Sequence, residues 1–391
     1  MSSSTQRTIS LAAALVACLC LAYVAGFGAF RVWHALQPSG QPEVLGVFWE
    51  AWDLLEQHFY GELPSPQART YGAIHAALAL LNDPYTVFVE PQPRELERDR
   101  LRGTFGGIGA TLWRNAGGRV VLSPLPDSPA ARAGVQEGDL LAAVDGLAIA
   151  ETATMDDVRA RLHGEAGTPV TLTLSRPPTP PFDLVVTREE IQVPSVTWRV
   201  LDVAPDVGYV RVESFTERTG DEVVAALQAL QEANVSGLVL DLRDNSGGLV
   251  EPAVAAASQF LREGVALVQL SRDGQERSFP VQEGGVATGV PLAVLVNGGT
   301  ASAAEIVAGA LQDYGRAPLV GERTFGKGAV QLIYDLSDGS SLHVTSATWL
   351  TPNRRPINGQ GLAPDVAVPR GEGPQDVQLE RAVEVLQGHG E

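Results

Sequence analysis

The sequence predicts an α/β core preceded by a compact β-rich domain, by amphipathic helices and by one N-terminal hydrophobic span. Three observations carry this. From about Gln192 onward, short apolar strands alternate with helical patterns, the signature of an α/β domain whose active groups sit at strand-to-helix turns. Between Phe105 and Glu190 the pattern changes to brief β-type runs separated by Gly and Pro. Upstream, Ile9–Phe30 carries no charge and is bracketed by Arg7 and Arg31, and ~20 apolar residues suffice to span a bilayer. The expected segments are 1–40 (anchor and linker), 41–98 (helical), 99–190 (β-rich), 191–370 (α/β core) and 371–391 (a C-terminal helix).

Composition narrows the function. The chain has 391 residues, 45% hydrophobic and 19% charged, with a net charge of -18. That acidity works against a polyanionic partner, so nucleic acid is not expected. The only cysteines, Cys18 and Cys20, lie inside the hydrophobic run, which leaves the remainder without a disulfide or a thiolate zinc site. Arg7 on the inner side of the span places the large C-terminal part outside the cytoplasm by the positive-inside tendency. The alternative is a cleaved signal peptide and a secreted or periplasmic protein, for which Gly26-Phe27-Gly28 and Leu15-Val16-Ala17-Cys18 are weak processing sites.

In the helical segment, Leu45, Phe48, Trp52, Leu55 and Phe59 recur at helical steps. A second helix carries Tyr71, Ile74, Leu78 and Leu81 and stops at Asn82-Asp83-Pro84. These helices, and the pattern Leu379, Val383, Leu386 near the C-terminus, are candidates for joining copies of the chain or for covering the core. The β-rich domain holds strands Ala110 to Trp113, Val120 to Leu122, Leu140 to Val144, Val170 to Leu174 and Leu184 to Val186, with one helix, Met155 to Leu162. Its opening Phe105-Gly106-Gly107-Ile108-Gly109 sets several amides before a strand, a backbone nest suited to a carboxylate. In the core, Thr219 with Glu222 reads as a capping box. Strand Leu238 to Leu242 runs into Asn245-Ser246-Gly247-Gly248, and strand Pro291 to Asn297 into a helix at Ala303.

Lys327 is the only lysine among 28 basic side chains. A guanidinium stays charged, whereas an amine surrenders its proton when burial pulls its pKa down from ~10.4. Flanking glycines, Gly326 and Gly328, let the backbone pass close to another element, Phe325 offers an apolar wall, and Gln331 can orient the amine without adding charge. Ser302 stands where a strand becomes a helix, so free amides lie beside its hydroxyl. It reads either as an N-cap or as a nucleophile with those amides as an oxyanion hole. The Gly247-Gly248 turn is a second donor. Gly321-x4-Gly326-Lys327 is not a phosphate loop, because Gly328 replaces the required hydroxyl and a strand follows. None of the six histidines sits in a triad motif and no His-Glu-x-x-His exists. His343 is the best of them, in the strand Leu342-His343-Val344. No metal or cofactor is called for.

These residues resemble the carboxyl-terminal processing peptidases, also called tail-specific proteases. The match runs through Asn82-Asp83-Pro84-Tyr85-Thr86, Phe105 to Gly109, Asp241-Leu242-Arg243 with Asn245 and Gly247-Gly248, Ala301-Ser302-Ala303 with Glu305-Ile306, Thr324 to Gly328 with Gln331, and Gly359-Gln360-Gly361-Leu362 with Pro364-Asp365. The resemblance implies a crotonase-like ββα peptidase core with an inserted PDZ domain. It implies Ser302 as nucleophile, Lys327 as general base and Gln331 as the residue positioning it, with an oxyanion hole from the amides of Ala303 and of Gly247 or Gly248. It also implies that Gly107, Ile108 and Gly109 hold apolar C-terminal ends of substrate proteins, and a place in a bacterial cell envelope. Thr300 and Ala304 depart from serines common beside the nucleophile. The competing class is a PDZ-bearing scaffold without hydrolysis, which has no use for a lone buried lysine.

Overall fold

The computed structural model describes residues 42–371 and 373–388. The expected membrane-spanning segment therefore lies outside the described residues. Among the described residues, no helix is long and apolar enough to cross a membrane.

The chain divides into two units, the first ending at Gly72. Within the first, helix Pro42–His58 carries the expected apolar stripe. Arg69 lies over the Trp52 ring, 4.9 Å from its centroid, and pairs with Glu56. The helix that begins at Pro66 ends at Ala79, in the second unit. Asn82 follows in a left-handed conformation at φ 52°.

The second unit is built on a six-stranded sheet in the order Val196–Leu201, Ala204–Val212, Gly237–Asp241, Leu292–Val296, Leu319–Gly321, Val366–Ala367. The first pair is antiparallel and every later pair parallel. Strands Gly237–Asp241 and Leu292–Val296 are buried at every residue, as expected of parallel strands covered on both faces. Their side chains alternate. Leu238, Leu240, Val294 and Val296 join a core with helices Thr219–Glu232, Val250–Ser258 and Ala303–Asp313. Val239, Ala293 and Leu295 face the opposite way, into a core closed by Leu379, Ala382 and Val383 of helix Val377–Leu386. The C-terminal helix thus covers the second face of the sheet.

A second, antiparallel sheet is organised on the long strand Ser341–Leu350, which pairs with Val87–Val89, Val265–Ser271 and Ala329–Asp335. Ahead of the large sheet in sequence lies a six-stranded antiparallel domain, Ala110–Arg114 to Phe182–Thr187, packed on helix Met155–Leu162 through Val158 and Leu162. Its entry and exit, Thr104–Gly107 and Glu189–Gln192, pair with each other, so the domain is inserted through one two-stranded neck.

One cap differs from expectation. Arg218 occupies the N-cap position of helix Thr219–Glu232 and makes no side-chain cap bond, and Thr219 lies inside the helix. The Thr219 hydroxyl accepts the Thr216 N–H at 2.8 Å, and Glu222 accepts from the Ser195 N–H at 2.7 Å. Both groups are drawn into the joint between the inserted domain and the core, where backbone donors compete for them.

Candidate active site

Two adjacent strand-to-helix turns meet at the C-terminal edge of the parallel sheet. The Asn297 amide oxygen accepts the Asp244 N–H at 2.9 Å and its amide nitrogen donates to Asp244 Oδ1 at 2.8 Å. Thr300 donates its hydroxyl to the Leu242 carbonyl at 2.8 Å. Buried Asn245 completes the stitching, donating to the Val212 carbonyl at 2.8 Å while its own carbonyl accepts the Ala301 N–H at 2.9 Å.

Ser302 is held by this frame at φ 54°, ψ -119°, a conformation that costs a side-chain-bearing residue ~1–3 kcal/mol and persists only where its surroundings over-determine it. The helix Ala303–Asp313 starts immediately after it, so the first free amide of that helix, at Ala303, lies beside the serine. Gly247 packs directly against it: a Cβ at Gly247 would stand 2.8 Å from the Ser302 Cβ. The Gly247 N–H is engaged, donating to Asn245 Oδ1 at 2.9 Å. Gly248 forms a parallel bridge with Phe215, in which the Gly247 carbonyl and the Leu249 N–H face Phe215. The Gly248 N–H therefore points to the other side.

The opposite wall is the Thr324–Gly328 loop. Glu305, fully buried on the helix behind Ser302, accepts four hydrogen bonds that join the two walls. Its Oε1 receives the Thr324 hydroxyl at 2.5 Å and the Gly326 N–H at 2.8 Å. Its Oε2 receives the N–H of Ser302 at 2.9 Å and that of Lys327 at 2.8 Å. The glycines permit close passage: a Cβ at Gly328 would lie 2.5 Å from the Asn358 nitrogen, and one at Gly326 2.8 Å from that of Gly361.

The Lys327 side chain is half-buried. Burial holds its pKa below the ordinary lysine value, and the negative charge of Glu97 works in the other direction. The aromatic ring facing its amine belongs to Tyr85, with Nζ 5.3 Å from the centroid. Phe325, expected as the apolar wall, is 59% exposed; its N–H is tied to the Thr300 carbonyl at 3.0 Å, which turns the side chain outward. Gln331 donates to the Tyr85 carbonyl at 2.6 Å, so it and the lysine meet at the same tyrosine. His343 is buried on the neighbouring strand, 3.3 Å from Glu97.

Gly107, Ile108 and Gly109 line a cleft of about 940 Å³ that reaches the active-site turn at Asp244. Gly109 is left-handed at φ 68°, and a Cβ there would stand 2.6 Å from that of Ser128. Helix Met155–Leu162 contributes Arg159 and Ala160 to one wall, and helix Pro91–Arg102 contributes Asp99 and Arg100 to another.

The roles of Glu305 and Asn245 rest on partners distant in sequence and are not legible from their own neighbourhoods. A signal was present: Ser302-x-x-Glu305 has capping-box spacing.

Residues 206–368 match the family model of peptidase family S41, and residues 120–176 that of the PDZ domain. The chain is 37% identical over 315 residues to the carboxy-terminal-processing protease of Bartonella bacilliformis, covering 79% of this chain and 71% of that one. It is 37% identical over 349 residues to the carboxyl-terminal-processing protease of a Synechocystis species, covering 86% and 81%. Among solved structures it is similar to the photosystem II D1 C-terminal processing protease, with a TM-score of 0.50 and 36% identity over 86% of this chain and 90% of that one.

Proposed function

We propose, from the premise that this chain belongs to peptidase family S41 and is a serine peptidase of the carboxyl-terminal-processing kind, that it cuts proteins with a Ser302/Lys327 dyad and selects them by apolar C-terminal tails held in its PDZ cleft. The observation that carries the dyad is the shared Glu305 oxygen, which fixes the backbones of Ser302 and Lys327 to one atom. Burial lowers the lysine pKa, the direction that favours the neutral amine a serine nucleophile needs.

In this mechanism neutral Lys327 takes the Ser302 proton as Oγ attacks the peptide carbonyl carbon. The carbonyl oxygen becomes an oxyanion and accepts N–H bonds from Ala303 and Gly248, donors worth ~3–4 kcal/mol of barrier when one is removed. The Lys327 ammonium then protonates the leaving amine. Water, deprotonated by the same lysine, releases the acyl group from Ser302. Gln331 holds Tyr85 beneath the amine. Gly107, Ile108 and Gly109 receive the tail's carboxylate, with its apolar side chains against the Met155–Leu162 helix. The uncharged Ile9–Phe30 segment supports a single-pass anchor in a bacterial envelope with the peptidase outside the cytoplasm.

The test compares the full chain with Ser302→Ala and Lys327→Arg on a folded protein bearing a flexible apolar tail. Cleavage by the parent alone is expected. Retained cleavage by Lys327→Arg would remove the lysine from the mechanism, and equal cleavage of a polar-tailed substrate would remove the tail reading.

A further inference from the structure

The short segment Asn82-Asp83-Pro84-Tyr85-Thr86 leads from helix Pro66–Ala79 to strand Val87–Val89, and its own residues set its shape. Asp83 Oδ1 accepts the Tyr85 N–H at 3.1 Å, the bond of an Asx turn, and its Oδ2 accepts the Thr86 hydroxyl at 2.6 Å. Pro84 between them has its φ fixed by the pyrrolidine ring. The strand that follows pairs with Ser341–His343, and the Thr86 hydroxyl accepts the Thr345 N–H at 3.1 Å. Gln331, which faces Thr345 across the ladder, donates to the Tyr85 carbonyl at 2.6 Å. One rung of the sheet thus grips the turn twice, and the backbone on both sides of the Tyr85 side chain is tied.

This anchoring sets a half-buried aromatic ring against the lysine amine, with Nζ 5.3 Å from the ring centroid. Within ~6 Å a ring face attracts an ammonium through its quadrupole, the more so where water is displaced, and it has far less hold on a neutral amine. The charged groups around the amine come from four elements. Glu97, on helix Pro91–Arg102, acts on it as a negative charge, but is shared with Arg94 at 3.0 Å and with His343, on the strand Ser341–Leu350, at 3.3 Å. Glu305, on the helix behind Ser302, directs its carboxylate to the Thr324 hydroxyl and to backbone N–H groups, that of Lys327 included. Asp83 is turned to its own segment. Among the described residues, the Tyr85 face is what a charge on Nζ meets directly.

We propose that Tyr85 is a positioning residue of the general base, its ring face receiving the Lys327 ammonium that forms when the Ser302 proton is taken and steadying that charge until the leaving amine collects the proton. This rests on the reading of Ser302 as nucleophile and Lys327 as base. No bond forms or breaks at the tyrosine, which acts through the amine alone. The proton leaves Ser302 Oγ, is held on Nζ beside the ring and passes to the departing nitrogen. Burial disfavours the charged amine and the ring favours it, so one place accommodates both forms that the cycle requires. Without the ring's attraction the ammonium is less stable, and the amine gives up its proton at lower pH. Asp83, Thr86 and Gln331 then share one purpose, which is to keep that face at the amine.

The experiment follows the rate at which a fluorophosphonate probe labels Ser302 in the full chain across a pH series, with the melting temperature of each variant measured alongside. Tyr85→Phe keeps the ring and should label within about twofold of the parent, with the acid limb of its profile unmoved. Tyr85→Phe carrying three ring fluorines has nearly the same shape, but its face is drained of negative charge. It should label about threefold more slowly on the alkaline plateau, with its acid limb moved to lower pH. Tyr85→Leu should go further in both respects, to about fivefold. The fluorinated ring remains decisive where the leucine variant does not fold. A fluorinated ring with the rate and limb of plain Tyr85→Phe would overturn the proposal and leave the dyad standing. So would slower labelling at every pH with an unmoved limb, which marks a purely structural contact. Tyr85→Phe as slow as the leucine variant would also overturn it, by assigning the role to the hydroxyl. A parent that is not labelled at any pH, or whose profile has no acid limb, overturns the dyad reading, and this inference with it.

Discussion

Gly247 and Ser302 are in contact at a distance that admits no side chain on the glycine: a Cβ would stand 2.8 Å from the serine Cβ and 3.1 Å from the Ala303 nitrogen. The backbone there is also left-handed, at φ 106°, so an added methyl is penalised by both strain and collision. Gly247→Ala is therefore expected to push the turn off the nucleophile. Displacing an oxyanion donor costs ~10²–10³ in kcat, and steady-state kinetics should show a loss of that order. Anisotropy with a tail peptide should show unchanged binding, because Gly247 does not line the PDZ cleft.

Glu305 serves both walls of the site with one carboxylate. Replacing it with alanine leaves the buried N–H groups of Ser302, Gly326 and Lys327 without their acceptor. Each such group costs ~1–3 kcal/mol, reduced where water enters the space. Glu305→Ala should lose about 3 kcal/mol of stability by urea denaturation and at least ~10² in kcat. Glu305→Gln should be nearly as damaging to kcat, because its NH2 would face N–H donors on one side.

The burial that makes Lys327 useful also costs stability. Its folded pKa lies below the ordinary lysine value of 10.5, so between the two values the unfolded chain binds more protons and stability rises with pH. Below the folded pKa the penalty is present in full; above 10.5 it vanishes. Lys327→Met should therefore be inactive and melt higher than the parent at neutral pH. That advantage should shrink as the pH approaches the unfolded value, as read by calorimetry across a pH series.

Glu97 offers a way to tune the base without touching it. Its charge raises the Lys327 pKa, opposing the larger effect of burial. Glu97→Gln should let the pKa fall further, so the acid limb of kcat/KM moves to lower pH. A limb that stays put, or moves to higher pH, would mean that Lys327 is not the titrating base. Because Glu97 also meets His343 and Arg94, the melting temperature should be followed alongside.

The parts of this molecule that the sequence shows are those with local causes. Strand Leu292–Val296 is an uninterrupted apolar run and strand Gly237–Asp241 is apolar up to its terminal carboxylate, and Ser302 stands out because a strand, a turn and a helix follow one another around it. The role of Glu305 is not legible locally, because its partners Thr324 and Lys327 lie 19 and 22 residues further on. Spacing within a helix reveals only its local bond to Ser302. Sequence proximity offers Phe325 as the ring beside Lys327, whereas the fold brings Tyr85 from far up the chain. Thr219 stands at cap spacing, but its hydroxyl meets that of Ser195, 24 residues upstream, at 2.7 Å. In each case a contact between distant segments decided the outcome.

Arg243 couples the active-site turn to the C-terminal helix. Its guanidinium makes a two-pronged pair with Asp376 at 2.8 and 2.7 Å and reaches Asp241 at 2.6 Å. Asp241 is fully buried, and Asp376 caps helix Val377–Leu386 by accepting the Leu379 N–H at 3.1 Å. Removing one partner of a buried pair costs ~3–5 kcal/mol. The low end applies here, because Asp241 keeps the Tyr209 hydroxyl at 2.7 Å. Arg243→Ala should lose about 3 kcal/mol of stability. Asp376→Asn keeps Arg243 on Asp241 and weakens only the hold on the helix. It should therefore raise hydrogen exchange in residues 379–386 while costing less stability. Arg243 keeps the Asp376 pKa below 3.8, so the share of stability held by that pair is complete above 3.8 and fades as pH falls through the folded value. In the parent, exchange in the helix should accordingly accelerate on acidification. In Asp376→Asn it should already be fast and show no such step; equal acid sensitivity in the two proteins would place the helix's anchor elsewhere.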